Sequence, residues 1–321
     1  MPPKKKVRRI SSITVGEFFD RHAKDLKLRL LGEEIGFQRR ISESTVNRPG
    51  LALGGFYRYF AFRRIQVFGN SERSYVLNLD KEERLRRFRE LCEQSIPCLV
   101  VSRGKKPPEG LLEAANAIGV AVFASPMVSM KFMNAATMML EKDFAPSVTE
   151  HGSMVDVRGI GVLIRGKSGT GKSESVLGLL DRGASLVADD LVRFQPIDDE
   201  LRGSSPAIGQ SHMEVRGLGI INVAALYGIG SIRLEKRVDL VITLKAASKQ
   251  NELERVGLER KEYEILGIRV PHIELLVAPG RDIAGLIELA ALDQKLRSFG
   301  HNSALEFQTR LLESMRGEGI K

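Results

Sequence analysis

The chain contains no tryptophan, two cysteines and only 6% aromatic residues among its 321. Two cysteines cannot brace a secreted disulfide scaffold. Cys92 and Cys98, on either side of Gln94-Ser95-Ile96-Pro97, also lack companions at metal-ligand spacing. They read as free thiols in a reducing compartment, with Cys98 inside the strand-like run Ile96 to Val101. No apolar run approaches the length of a bilayer span, and no signal peptide opens the chain. A cytoplasmic protein without a membrane partner is expected. No internal repeat appears, and the only biased segment is a basic stretch near the start.

Hydrophobic residues at 43% and charged residues at 28% are ordinary for a globular protein, and the length suffices for two domains, each with its own core. The formal net charge of +9 suggests nucleic acid at first sight. Much of it is local, in Lys4, Lys5, Lys6, Arg8 and Arg9 and in a helical face over Lys81 to Arg89 interspersed with Glu82, Glu83 and Glu90. The first reads as a solvated tail and the second as a charged helix surface, so no nucleic-acid partner is expected.

Residues 166–173 read Gly-Lys-Ser-Gly-Thr-Gly-Lys-Ser, a complete G-x-x-x-x-G-K-[ST] phosphate loop. Ile160 to Ile164 before it reads as a buried parallel strand. Glu174 to Leu180 after it reads as a helix that stops at Gly183. Strand, glycine turn and helix are the context such a loop requires. Gly166, Gly169 and Gly171 allow successive N–H groups to face one anion, with Lys167, Ser168 and Thr170 between them. The helix start contributes partial positive charge, Lys172 a full one, and the Ser173 hydroxyl can ligate Mg²⁺. Binding of a nucleotide or another polyphosphate follows.

The chain is expected to divide near residue 145. Residues 1–10 form a basic flexible tail, 11–144 an α/β domain, and 145–321 the domain that carries the chemistry. Thr14 followed by Glu17 predicts a capped helix start. Strands are expected at Arg64 to Phe68, Pro97 to Val101 and Gly119 to Phe123, with a helix at Leu111 to Ile118. The methionines of 127–139 read as core or subunit packing rather than a ligand site. In the second domain, apolar segments at 155–164, 185–188, 219–223 and 238–244 predict a sheet. Helices at 283–297 and 305–315 close it.

Further residues fit chemistry around the loop. Asp189 and Asp190 end the strand-like Ser185 to Ala188, where an acid holds Mg²⁺ or positions and deprotonates a nucleophile; an ordinary turn fits the same pair. His151 precedes the strand that leads into the loop. Glu214 and Arg216, next to Gly217 and Gly219, could serve Mg²⁺ and phosphate or form a surface ion pair at a bend.

Taken together, these segments resemble bacterial HPr kinase/phosphorylase. The resemblance is carried by His151-Gly152-Ser153-Met154-Val155-Asp156-Val157, the loop from Gly166 to Glu174, Leu186 to Asp190, the block Glu214 to Val223, and Val277 to Arg281. In the first half it is carried by Asn47 to Leu51 and Arg64 to Gly69. It covers nearly the whole chain and implies a P-loop kinase domain similar to phosphoenolpyruvate carboxykinase behind the N-terminal α/β domain. The implied activity is phosphorylation of a regulatory serine on the phosphocarrier HPr from ATP with Mg²⁺. The same site removes that phosphate with orthophosphate, releasing pyrophosphate. The resemblance assigns Lys172 to the β- and γ-phosphates, Ser173 and Glu214 to Mg²⁺, and Asp190 to the serine proton in both directions. It gives His151 to the support of Asp190 and makes Arg255 the remaining catalytic position. It implies a homo-oligomer, a hexamer in this family.

The chain departs from the family pattern at Asp282, commonly Asn, beside the 276–281 loop linked to dephosphorylation. An added negative charge there is expected to weaken binding of orthophosphate or phosphoprotein. Ala246-Ala247-Ser248-Lys249 also lacks an aromatic residue often found after that strand. Two other readings stay open, a non-catalytic nucleotide-sensing regulator and a P-loop kinase of another protein or a small molecule. A pure binder has no use for Asp190, His151 and Arg255.

Overall fold

The computed structural model describes residues 7–206, 211–246, 261–278 and 280–315. It separates into two compact units, Arg9–Ala145 and a second formed by Pro146–Lys321 together with Met1–Arg8. Each is a mixed α/β body.

The N-terminal unit begins with β1 (Ile13–Thr14) and α1 (Val15–His22). The capping box forms, with Thr14 Oγ1 accepting the Glu17 N–H and Glu17 Oε2 accepting the Thr14 N–H, at 3.1 and 2.8 Å. β2 (Arg29–Leu31), β3 (Arg40–Ile41), α2 (Gly50–Leu53), β4 (Gln66–Phe68), α3 (Asn70–Leu77), α4 (Lys81–Glu93), β5 (Cys98–Val101), α5 (Leu111–Ile118), β6 (Ala121–Ala124) and α6 (Ser129–Phe144) follow. β4, β5 and β6 pair in parallel, and β2 joins β6 antiparallel, giving the order β2-β6-β5-β4. All three parallel strands are buried along their length, as a sheet covered on both faces requires. Val67, Cys98, Val100 and Phe123 face one apolar cluster with Phe18 and Phe132, while Phe68, Leu99, Val101 and Val122 face another with Phe88 and Leu91. Cys92 and Cys98 are buried free thiols, and burial pushes both up to about 12. Along α6, Met133 and Met139 pack on the core whereas Met130 and Met138 are exposed. The segment expected to be a free tail is engaged at its end, because Arg8 and Ser147 exchange backbone hydrogen bonds of 2.8 and 2.9 Å.

The second unit opens with β7 (Val148–His151), β8 (Ser153–Val157) and β9 (Ile160–Gly166), followed by α7 (Lys172–Asp181), β10 (Ser185–Ala188), β11 (Leu191–Ile197) and β12 (Glu200–Ser204). Next come β13 (His212–Val215), β14 (Gly219–Asn222), α8 (Val223–Tyr227), β15 (Glu235–Arg237) and β16 (Leu240–Ala246). β17 (Lys261–Ile265), β18 (Ile268–Val277), α9 (Ile283–Ser298) and α10 (Ser303–Met315) complete it. Six strands form one sheet in the order β10-β8-β9-β16-β18-β17, with β9, β16 and β18 parallel at its centre. One face carries α7 and α9 over Val162, Ile164, Leu240 and Ile242. The other contributes Met154, Leu163 and Val241 to an apolar cluster shared with Val192, Phe194 and Leu201 of the antiparallel sheet β15-β12-β11-β7. The 219–223 segment differs from expectation. It does not enter the main sheet but folds as the β14 arm of a hairpin with β13, leaving Leu218 and Ile220 more than 70% exposed at 78% and 75%.

Candidate functional site

The phosphate loop leaves the sheet where β9 ends against β16, at the pair Gly166 and Leu244. A Cβ on Gly166 would lie 2.5 Å from Thr170 Oγ1 and 2.9 Å from the Leu244 carbonyl oxygen, so only glycine fits. Gly169 and Gly171 adopt φ of 82° and 84°, in the left-handed region that glycine reaches without penalty. Thr170 Oγ1 donates to the Lys167 carbonyl at 2.8 Å and tightens the turn. The Lys172 ammonium arches back over it, donating to the Gly166 and Lys167 carbonyls at 3.0 and 3.2 Å. Lys172 and Ser173 open α7, where unpaired N–H groups and the helix dipole favour an anion. Helix α7 lies tightly on α9, since a Cβ on Gly178 would come within 2.8 Å of the Ala284 methyl.

The β13–β14 hairpin faces the loop. Alternation along β13 buries Met213 and Val215 and turns Glu214 outward. Arg216, in the turn, donates from Nη2 to Ser168 Oγ at 3.0 Å and so touches the loop. The third wall is the corner where β10 passes to β11. Here the two aspartates part. Asp189 turns inward, accepting Ser153 Oγ at 2.6 Å and the Glu214 N–H at 3.3 Å. Burial raises its carboxyl above the ordinary aspartate value, against the opposing pull of those hydrogen bonds. Asp190 has a left-handed backbone, φ 59°, and an exposed side chain whose Oδ1 stands 3.5 Å from His151 Nδ1. His151 is placed opposite it because β7 pairs with β11, with His151 across from Leu191.

Loop, hairpin and corner enclose a cavity of about 180 Å³. Ser168, Gly169, Gly171, Lys172, Ser173, Asp190 and Glu214 line it. His151 reaches it through Asp190, while Gly166, Lys167 and Thr170 shape the loop behind. Arg255 lies outside the described residues. The inward position of Asp189, its bond to Ser153 and the Ser168–Arg216 link were not anticipated. A serine after His-Gly carries no sequence signal, and neither does the choice between two adjacent aspartates. A larger hollow of about 410 Å³ lies between α7 and the start of α9, lined by Gly178, Arg182, Arg281 and Asp282 among others. Its arginines are already engaged, Arg182 with Asp282 and Arg281 Nη1 with the Leu276 carbonyl at 3.2 Å. The smaller cavity therefore has the better claim to the chemistry.

Two family models match the chain in succession, "HPr Serine kinase N terminus" over residues 13–140 and "HPr Serine kinase C-terminal domain" over residues 142–311. The chain belongs to the HPr serine kinase family. Within that family it is 39% identical over 305 residues to the HPr kinase/phosphorylase of Leptospira biflexa, covering 94% of each chain. It is 41% identical over 288 residues to HPr kinase/phosphorylase 1 of Oceanobacillus iheyensis, covering 89% of this chain and 93% of that one. A solved structure, the Hpr(Ser) kinase/phosphatase from Coxiella burnetii, matches at 34% identity with a TM-score of 0.45, over 50% of this chain and 97% of that chain.

Asp282 is held in a way the sequence did not suggest. Its carboxylate caps α9 through the Gly285 N–H at 2.9 Å and is held by Arg182 Nη2 at 2.8 Å. A Cβ on Gly285 would collide with that carboxylate, so the cap and the glycine are placed together.

Proposed function

We propose that this chain is a bifunctional HPr kinase/phosphorylase working in the cytoplasm. The observation that supports this most directly is the convergence of Lys172, Ser173, Glu214, Arg216 and Asp190 on one cavity, in a chain matched to its relatives along nearly its whole length. The catalytic unit is read as a P-loop kinase domain of the phosphoenolpyruvate carboxykinase kind, assembled as a hexamer.

In the forward direction ATP lies with its phosphates in the loop. The backbone N–H groups of 166–173 and the Lys172 ammonium, released from the loop carbonyls, hold the β- and γ-phosphates. Arg216 is close enough to the loop to share that charge. Asp190 takes the proton of the HPr serine hydroxyl as its oxygen bonds to the γ-phosphorus and the bond to the departing ADP breaks. His151 supports Asp190, and Arg255 is the remaining catalytic position. In reverse, orthophosphate bonds to the phosphoserine phosphorus, the serine oxygen leaves with the proton returned by Asp190, and pyrophosphate forms. The same serine O–P bond is made in one reaction and broken in the other, so one residue can serve both.

Among the described residues no group of three or more His, Cys, Asp or Glu side chains is arranged to hold a metal unaided. Mg²⁺ commonly takes one or two protein ligands and completes its shell with phosphates and water. Ser173 and Glu214, both on the cavity wall, would hold it, and its charge would offset that of the phosphates.

The deciding experiment incubates the purified protein with HPr, Mg²⁺ and γ-labelled ATP, then adds orthophosphate. Label should pass to HPr and afterwards appear in pyrophosphate. ATP binding without transfer would favour the nucleotide-sensing regulator. Transfer to some other acceptor, with HPr untouched, would favour a kinase of different specificity.

A further inference from the structure

We propose that Glu150 is a positioning residue that pins the strand carrying His151 to the strand that delivers the phosphate loop. The inference rests on the roles just given to His151, Asp190 and Lys172.

The two halves of the site stand on different sheets. His151 ends β7, and Asp190 directly precedes β11, both in the four-stranded sheet. The loop begins at Gly166, the last residue of β9, in the six-stranded sheet. In-line phosphoryl transfer is sensitive to how such parts are spaced, since a misplacement of about 1 Å can cost roughly a hundredfold in rate.

Glu150 immediately precedes His151, and Arg165 immediately precedes Gly166. The alternation of β7 sends Glu150 inward, to 5% exposure, and His151 outward. Inside, Glu150 meets two residues of the other sheet. Tyr263 of β17 donates its hydroxyl to Glu150 Oε2 at 3.0 Å, and Arg165 Nε stands 3.8 Å from the same oxygen. The Arg165 guanidinium lies over the Tyr263 ring, 4.3 Å from its centroid. The Tyr263 ring meets His272 edge-on, with centroids 5.7 Å apart, and Thr243 Oγ1 lies 2.8 Å from His272 Nε2. Clamp and ring stack therefore span β7, β9, β16, β17 and β18.

The surroundings sharpen the point. The apolar layer shared by these sheets contains Val148, Leu163, Val192, Phe194 and Val241. A carboxylate carried into such a layer is a costly choice if stability is all that is served, because an apolar contact of similar volume stabilises as well or better. What a charged, hydrogen-bonded contact adds is a defined register between the two strands, and here each strand ends in a different half of the catalytic site.

The test compares wild type, Glu150→Gln and Tyr263→Phe in the HPr phosphorylation assay, with thermal unfolding and binding of a fluorescent ATP analogue measured alongside. Positioning predicts that each variant loses roughly 10-fold in kcat while KM for ATP, analogue affinity and melting temperature stay close to wild type. The double variant should lose little more than either single one, because both break one unit. Unchanged kcat, or a fall in kcat matched by weaker ATP binding and a lower melting temperature, overturns the proposal. If Glu150→Gln does not fold, Tyr263→Phe decides alone, since it keeps the ring and removes only the hydroxyl. A wild-type protein inactive on HPr would instead overturn the function on which the proposal rests.

Discussion

Arg182 closes on the Asp282 carboxylate with both terminal nitrogens, Nη2 to Oδ2 at 2.8 Å and Nη1 to Oδ1 at 3.3 Å. The Gly285 N–H and then this guanidinium hold the Asp282 carboxyl below the usual aspartate range. A carboxylate so engaged repels an incoming phosphate much less than a free one. The extra charge that was expected to weaken phosphorolysis is therefore one already paired with Arg182. Asp282→Asn preserves an N-cap acceptor, and the ratio of phosphorolysis to kinase activity should stay within roughly twofold of wild type, the charge pair being exposed and screened. Both rates measured across a phosphate titration at fixed ionic strength will tell. A several-fold rise in the ratio would mean that the carboxylate acts on phosphate despite Arg182.

Lys172→Ala should abolish phosphorylation while leaving the melting temperature nearly unchanged. Among the described residues the ammonium bonds to loop carbonyls of Gly166 and Lys167, so the fold loses little, whereas the phosphates lose a full positive charge. Removing one such electrostatic contact costs on the order of 10²–10³ in rate. Turnover near wild type in this variant would sink the assignment of the loop.

Asp190→Asn should retain ATP affinity and lose both directions of catalysis together. The amide fits the same space and the same left-handed backbone, yet cannot accept the serine proton. General-base catalysis contributes roughly 10²–10⁴-fold. Loss of nucleotide affinity with normal turnover of bound substrate would instead make Asp190 a binding residue.

His272 gives a prediction about pH. Burial lowers its imidazole below the ordinary histidine value, with Glu274 opposing and Arg165 assisting. A depressed folded pKa contributes stability that is present above the unfolded value of about 6.5 and is lost as the pH falls through the folded one. Urea midpoints followed from pH 7.5 to pH 5 should therefore decline less steeply in His272→Gln than in wild type. Parallel curves would show that His272 does not contribute to this slope.

Much of the catalytic unit was legible in advance because its signals are local. The turn chemistry of Gly166, Gly169 and Gly171, the apolar strand before them and the Asp-Asp at a strand end each depend on neighbours a few residues away. The capping pair Thr14 and Glu17 was readable for the same reason. What escaped depends on contacts between segments distant in sequence. Arg182 meets Asp282 across 100 positions, and Tyr263 meets Glu150 across 113. The β14 segment misled because an apolar run looks alike whether it enters a sheet or lies exposed in a hairpin arm, and among the described residues β14 pairs with β13 alone.

The left-handed backbone of Asp190, at φ 59°, restricts what evolution or an engineer can place there. Asp, Asn and Gly tolerate that region, while longer and β-branched side chains enter it at a penalty. Of the three, only aspartate carries an ionisable group. Exchange of Asp for Glu, often the easiest way to lengthen a base's reach, thus carries a backbone penalty of about 1–2 kcal/mol, one that the chain accepts at Lys27, Arg103 and Arg158. On the role proposed for Asp190, a natural relative bearing Asn or Gly there is expected to have kept the cavity and given up the reaction.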